Sequence, residues 1–135
     1  MSLFRFKCPS CETVQDQPTN STCTKCKQPL ALPGPGGVQL YRMGSPIGIA
    51  VGYGIYINGE PYGHIANKES IRIPLAYGTY NFHFTCGMTR KCEDLVVTLT
   101  PEEPLAYVKA RIKPGFWTNK IIAERSTREE MPPIE

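Results

Sequence analysis

The residues best equipped for chemistry in this chain are its cysteines. Cys8-Pro9-Ser10-Cys11 and Cys23-Thr24-Lys25-Cys26 form two C-x-x-C pairs with eleven residues between them. A tight turn between paired cysteines lets both sulfurs reach one ion, and two such turns brought face to face complete a tetrahedral shell. Zn²⁺ favours this donor set; iron is the second choice, because four thiolates also suit it. The expectation is one structural Zn²⁺ held by Cys8, Cys11, Cys23 and Cys26. Four protein ligands leave no open position, which argues against a catalytic metal. A redox C-x-x-C would need a strand–helix setting that the flanking residues do not provide.

The metal has an energetic reason to be there. Across residues 1–30, Leu3, Phe4, Phe6, Val14 and Leu30 are almost the only large apolar side chains. So few groups cannot offset the conformational entropy of ordering this stretch, whereas a structural zinc contributes roughly 10–16 kcal/mol. Without metal the segment should be disordered.

Other chemistry-bearing residues read more plainly. Cys86 and Cys92 flank a short turn, but parity sets them apart. Cys86 continues the face of Phe82 and Phe84, and Cys92 falls on the face of Asp94. Cross-strand partners must share a face, so a bridge would need a bulge; two ordinary thiols are expected before a disulfide, and a second metal site comes last. His64 and His83 are the only histidines, and no nucleophile with a supporting acid stands near either in sequence. His83 reads as an exposed strand residue, and no catalytic residue is assigned. Arg5, Lys7, Lys25 and Lys27 beside Phe4 and Phe6 could form a nucleic-acid patch. Glu12 and Asp16 dilute that charge, and solvated lysines are the preferred reading. Gly52-Tyr53-Gly54 lacks the third glycine and the helix of a dinucleotide fingerprint. Glycines on one strand face instead permit close packing or a bulge. A bare face could also meet a second copy, so a homodimer through a β face or edge is kept open. Phe116-Trp117 is expected to close a core.

The elements that must position these groups are strands. At 135 residues, one main core plus a small appendage is the natural organisation. Twelve glycines and thirteen prolines punctuate many short segments, which favours strands and turns over helices. Pro33-Gly34-Pro35-Gly36-Gly37 reads as a linker, separating an N-terminal ribbon over 1–30 from a β domain over 38–125, with the linker at 31–37. Period-two patterns follow: Ile47 to Ile57, then Tyr62–Ile65 beyond an Asn58-Gly59 turn, as a hairpin. Ile71, Ile73 and Leu75 come next, then Tyr80, Phe82 and Phe84, then Leu95, Val97 and Leu99. Ala106, Val108, Ala110 and Ile112 precede a last strand within Phe116–Glu124. About seven strands at this spacing predict an all-β fold, a ribbon plus an antiparallel β-sandwich. Residues 126–135 read as a charged, flexible tail.

Charge and hydropathy exclude some classes. The net charge of +3 falls to about +1 once four thiolates bind a dication, too little to specify a polyanion. No run approaches a membrane span and no signal peptide is evident, so a reducing cytoplasm is the expected location.

Two resemblances add to this reading. The cysteine doublet resembles the short N-terminal zinc ribbons of many bacterial proteins, written C-P-x-C-G twice. This chain has Glu12 and Lys27 where that pattern has glycine, and Thr24 where it has the second proline. The stretch Ile55-Tyr56-Ile57-Asn58-Gly59-Glu60-Pro61-Tyr62-Gly63, followed by Ile73-Pro74-Leu75-Ala76-Tyr77-Gly78-Thr79-Tyr80, is similar to PEGA-type β domains. That resemblance spans roughly Ile55–Leu99 and implies a small β-sandwich in a binding or envelope-associated setting. The function expected is a non-enzymatic, zinc-binding adaptor for an unidentified protein partner. Its alternatives are an enzyme or ligand-binding protein using a cleft between ribbon and sandwich, and a nucleic-acid reader.

Overall fold

The computed structural model describes residues 3–18, 20–44, 52–86, 91–113, 115 and 120–131. Two short hairpins come first. β1 (Phe4–Lys7) pairs antiparallel with β2 (Val14–Gln17), and β3 (Ser21–Thr22) pairs with β4 (Pro29–Leu30). Each hairpin carries one cysteine pair in its connection. Phe6, Leu30, Cys8 and Cys23 are buried together, with Phe4, Cys11 and Cys26 packed around them. Among the described residues of this unit, Phe6 and Leu30 are the two large apolar side chains that are buried.

The remaining strands are β5 (Gly36–Arg42), β6 (Tyr53–Ile57), β7 (Glu60–Ile65), β8 (Ser70–Leu75) and β9 (Gly78–Cys86), then β10 (Cys92–Glu93), β11 (Leu95–Leu99), β12 (Leu105–Lys113) and β13 (Lys120–Arg125). They build a five-stranded sheet in the order β10-β13-β12-β5-β8 and a four-stranded sheet in the order β11-β9-β6-β7. The alternating residues named from the sequence fill the space between the sheets. Tyr53, Ile55, Phe82, Phe84 and Val97 from one sheet bury against Val38, Leu40, Ile73, Val108 and Ile121 from the other. The predicted hairpin forms at Asn58-Gly59, where φ is 53° and 81°, the pair of positive values a tight two-residue turn requires.

The structure differs from expectation in several places. Gly36 and Gly37 are not linker. They open β5, pairing with Leu75 and Pro74 on one side, while Gly37 also pairs with Leu105 on the other. A Cβ on Gly36 would lie 3.0 Å from the Pro104 carbonyl oxygen, so glycine is what admits the neighbouring backbone. Two pairings in the five-stranded sheet are parallel, β5 with β12 and β10 with β13. β12 arrives by crossing from the four-stranded sheet and enters at the end where β5 begins. Hairpin logic therefore does not set its direction. A further feature is Arg42, which is fully buried at the end of β5. Its guanidinium stacks 3.8 Å from the Tyr53 ring centroid and donates to the Ile65 carbonyl at 3.3 Å. Burial of this cation is made tolerable by the ring face and the carbonyl together.

Arg128–Glu130 forms a 3-10 turn after β13. The strand expected from Ile47 is described only from Tyr53. The turn at 87–90 and Phe116-Trp117 lie outside the described residues.

The ribbon rests on the sandwich, across β7 and β8, which are the edge strands of the two sheets. The Arg5 guanidinium forms a fork on Asp16 at 2.7 and 2.9 Å, reaches Glu69 at 3.2 Å and donates to the His64 carbonyl. Lys7 Nζ donates to the Pro61 carbonyl at 2.8 Å, and the Tyr62 hydroxyl donates to the Arg5 carbonyl at 2.9 Å. Gly63 has φ +106°, and a Cβ there would meet Val14 Cγ1 at 2.9 Å. β2 thus lies against bare backbone.

Candidate metal centre

Between β1 and β2 the Glu12 amide donates to the Cys8 carbonyl at 2.8 Å, and the Cys8 amide to the Thr13 carbonyl at 2.9 Å. Between β3 and β4 the same pattern recurs: Lys27 to Cys23 at 3.0 Å, and Cys23 to Gln28 at 2.8 Å. Each turn closes with a left-handed residue, Glu12 at φ 63° and Lys27 at φ 66°. These are the two positions where the ribbon pattern has glycine, and the backbone adopts the conformation glycine favours without the residue.

The two turns converge their sulfurs. Cys8 Sγ lies 3.5 Å from Cys26 Sγ, Cys11 Sγ lies 3.5 Å from Cys23 Sγ, and all four fall within 4.8 Å of one another. Four sulfurs at about 2.3 Å from a central ion would stand about 3.8 Å apart, so the spacing suits a tetrahedral cation. Donors around the cluster are set for thiolates. The amides of Lys25 and Cys26 point at Cys23 Sγ at 3.4 and 3.5 Å, and the Gln15 side-chain amide donates to it at 3.3 Å. Gln15 is itself fixed, because its carbonyl oxygen accepts from the Thr24 amide at 2.9 Å. The Cys26 amide and then Gln15 pull the Cys23 thiol down to about 5. Thr13, 3.2 Å from Cys11 Sγ, lowers Cys11 as well. At Cys26 the Gln28 amide also acts downward, but burial and the neighbouring sulfurs outweigh it and push that thiol up to about 12. Four sulfurs this close cannot all shed protons without a cation among them, and a cation is what the arrangement can hold.

Three of the four basic residues named around the ribbon, Arg5, Lys7 and Lys27, are engaged within the chain, and Lys25 is exposed. Arg5 and Lys7 hold the ribbon down, Lys27 Nζ donates to the Thr24 carbonyl at 3.2 Å, and Phe6 is buried. Of the glycine-bare face expected over 47–57, Gly52 and Gly54 are among the described residues, and a neighbouring side chain lies over each. A Cβ on Gly54 would meet Thr85 Oγ1 at 2.7 Å, and one on Gly52 would meet His64 Cβ at 3.2 Å.

Cys86 and Cys92 are both free, Cys86 buried in the core. Cys92 instead joins a cluster that sequence separation concealed: His83, Cys92 and Asp94 bring one donor atom each within 4.8 Å. His83 Nδ1 lies 2.7 Å from Asp94 Oδ1, and Asn81 Nδ2 donates to Asp94 Oδ2 at 3.1 Å. Burial raises Asp94, but the His83 and Asn81 hydrogen bonds outweigh it and hold the carboxyl below its ordinary value. Burial pushes the Cys92 thiol up to about 11, the reverse of an activated nucleophile. The strand register is what joins them: Leu95 pairs with Phe82, and one further step sets Asp94 beside His83.

A groove of about 390 Å³ lies where β1 and the linker meet the outer face of the five-stranded sheet, lined in part by Phe4, Leu32, Gly36, Arg72, Leu105 and Arg128. Leu32 and Leu105 are 47% and 56% exposed, large apolar side chains beside two arginines. Among the described residues no helix is long and apolar enough to cross a membrane. Compared with known proteins, the chain matches no family model, and no curated protein or solved structure matches it significantly.

Proposed function

We propose that the chain is a structural-zinc protein that acts by binding another protein rather than by catalysis. The observation that carries this reading is the groove shared by the ribbon and the sandwich. A ribbon held by a closed four-sulfur site supplies Phe4, and the sandwich supplies Leu105, Arg72 and Tyr107. Zinc suits the four sulfurs because it asks only for tetrahedral geometry, and a shell of four cysteines assigns it a folding role. Its loss would remove one wall of the groove. Among the described residues neither Arg72 nor Arg128 is in an ion pair, so the groove fits an apolar side chain flanked by acidic residues. The resemblance to a bacterial zinc ribbon joined to a PEGA-like β domain accords with such a binding role.

A peptide-display selection on the zinc-loaded chain tests it. Enriched peptides should share an apolar anchor with flanking Asp or Glu, and Leu105→Glu should weaken their binding at least tenfold. No enrichment, or binding indifferent to Leu105→Glu and Arg72→Glu alike, would overturn the reading. The same groove favours a second reading, a small amphipathic carboxylate as ligand. Fatty-acid or aryl-carboxylate binding that competes with no peptide would favour that one.

A further inference from the structure

We propose that His83, Cys92 and Asp94 form a second metal site, an open one, taking a single Zn²⁺ or a similarly borderline divalent cation. Three donors of three kinds converge within 4.8 Å: an imidazole nitrogen, a sulfur and a carboxylate oxygen. They come from different parts of the fold. His83 lies on β9. Asp94 sits at the crossover that leads into β11. Cys92 is held in β10, opposite Ile121 of the other sheet. The site therefore stands where the chain passes between the two layers, and each layer fixes part of it.

The surroundings resemble a built ligand set more than a chance ion pair. Asp94 has one oxygen on His83 and the other on Asn81 Nδ2 at 3.1 Å, the kind of outer hydrogen bond that orients a ligating carboxylate. The His83 ring is braced by an edge contact with Tyr56, its centroid 5.8 Å away. An ordinary His–Asp pair has no use for a sulfur, yet Cys92 brings one, from a half-buried position packed against the core. Nitrogen, sulfur and oxygen together select zinc over magnesium or calcium, which want oxygen alone. Three protein ligands are the number that leaves a position for an outside ligand. Binding asks little of the fold. The 2.7 Å separation of His83 Nδ1 and Asp94 Oδ1 must widen to about 3.3 Å around a shared ion, and both side chains are partly exposed.

The test is a metal count on the full-length, reduced chain, stripped and then titrated with Co²⁺ or Zn²⁺. The wild type should bind two equivalents, the second more weakly. His83→Gln and Cys92→Ser should each bind one, and His64→Gln, on the same sheet, should keep two. Added imidazole or azide should change the Co²⁺ absorption of the second equivalent and leave the first unaltered. If Cys92→Ser fails to fold, His83→Gln on the outer face of the sheet decides. One equivalent in the wild type that survives His83→Gln, or two in both variants, would overturn the site. One equivalent lost in His83→Gln would instead sink the four-cysteine centre and leave this one standing.

Discussion

Glu12 and Lys27 hold equivalent places at the ends of the two cysteine turns, each in the left-handed region that costs a residue with a Cβ about 1–2 kcal/mol. Glycine there relieves that cost but adds freedom to the unfolded chain, so the net gain is smaller. Lys27→Gly should raise ribbon stability by about 0.5–1 kcal/mol, read as slower metal loss to a chelator. A faster loss would mean that the Lys27 contact with the Thr24 carbonyl outweighs the backbone. Gln15 works in the opposite sense. Its amide donates to Cys23 Sγ while its carbonyl oxygen is tied to the Thr24 amide, so it joins β2 to the second turn. Removing such an outer-shell partner usually costs roughly 10–100-fold in metal affinity. Gln15→Ala should fall in that range in a competitive titration, and an unchanged affinity would refute its role.

Among the elements, the 3-10 turn at Arg128–Glu130 is held to β12 by a carboxylate. Glu130 accepts from Ser126 Oγ at 3.1 Å and from Lys109 Nζ at 3.4 Å, and these two contacts, in that order, hold its carboxyl below the usual range. A group depressed on folding stabilises the folded form above its unfolded value of about 4.3. That contribution fades as pH falls through the lower, folded value. Acidification from pH 5 should therefore loosen this turn before the sandwich unfolds, seen as a falling protection factor at the Met131 amide, its exchange rate divided into the intrinsic rate at each pH. Simultaneous loss of the turn and the core would contradict it. The strands themselves were legible in sequence wherever apolar residues alternate, because one buried face imposes a period of two. The partners of β5 and β10 were not. Their parallel neighbours are set by crossovers between sheets, which no local pattern encodes. His83 and Asp94 fall between these cases, readable only once the β9–β11 register is known. At the ribbon, the convergence of four cysteines was legible from spacing, whereas the work done by Arg5 depends on meeting Glu69 and the His64 carbonyl, some sixty positions away.

For the molecule as a whole, the ribbon's position matters as much as its four clustered cysteines. β7 and β8 are sheet edges, and an uncovered edge is a template for pairing with another chain. Arg5 and Lys7 donate into carbonyls of β7, at His64 and Pro61, and so occupy part of that edge. The sandwich has its own large core and should survive metal removal; the ribbon, in which Phe6 and Leu30 are the large apolar side chains buried among the described residues, should not. A chelator is then expected to abolish exchange protection at the Cys8 and Cys23 amides while Phe84 and Val108 stay protected. It should also induce concentration-dependent association, visible by light scattering. Arg5→Ala separates the two causes. It keeps the four sulfurs and their metal but strips Asp16 and Glu69 of their shared partner, at a cost of about 2–3 kcal/mol. If edge cover is what keeps the chains apart, this metal-loaded variant should associate as the chelated wild type does. A chelated protein that stays monomeric with its ribbon amides still protected would show that the four cysteines are not what holds the N-terminus in shape.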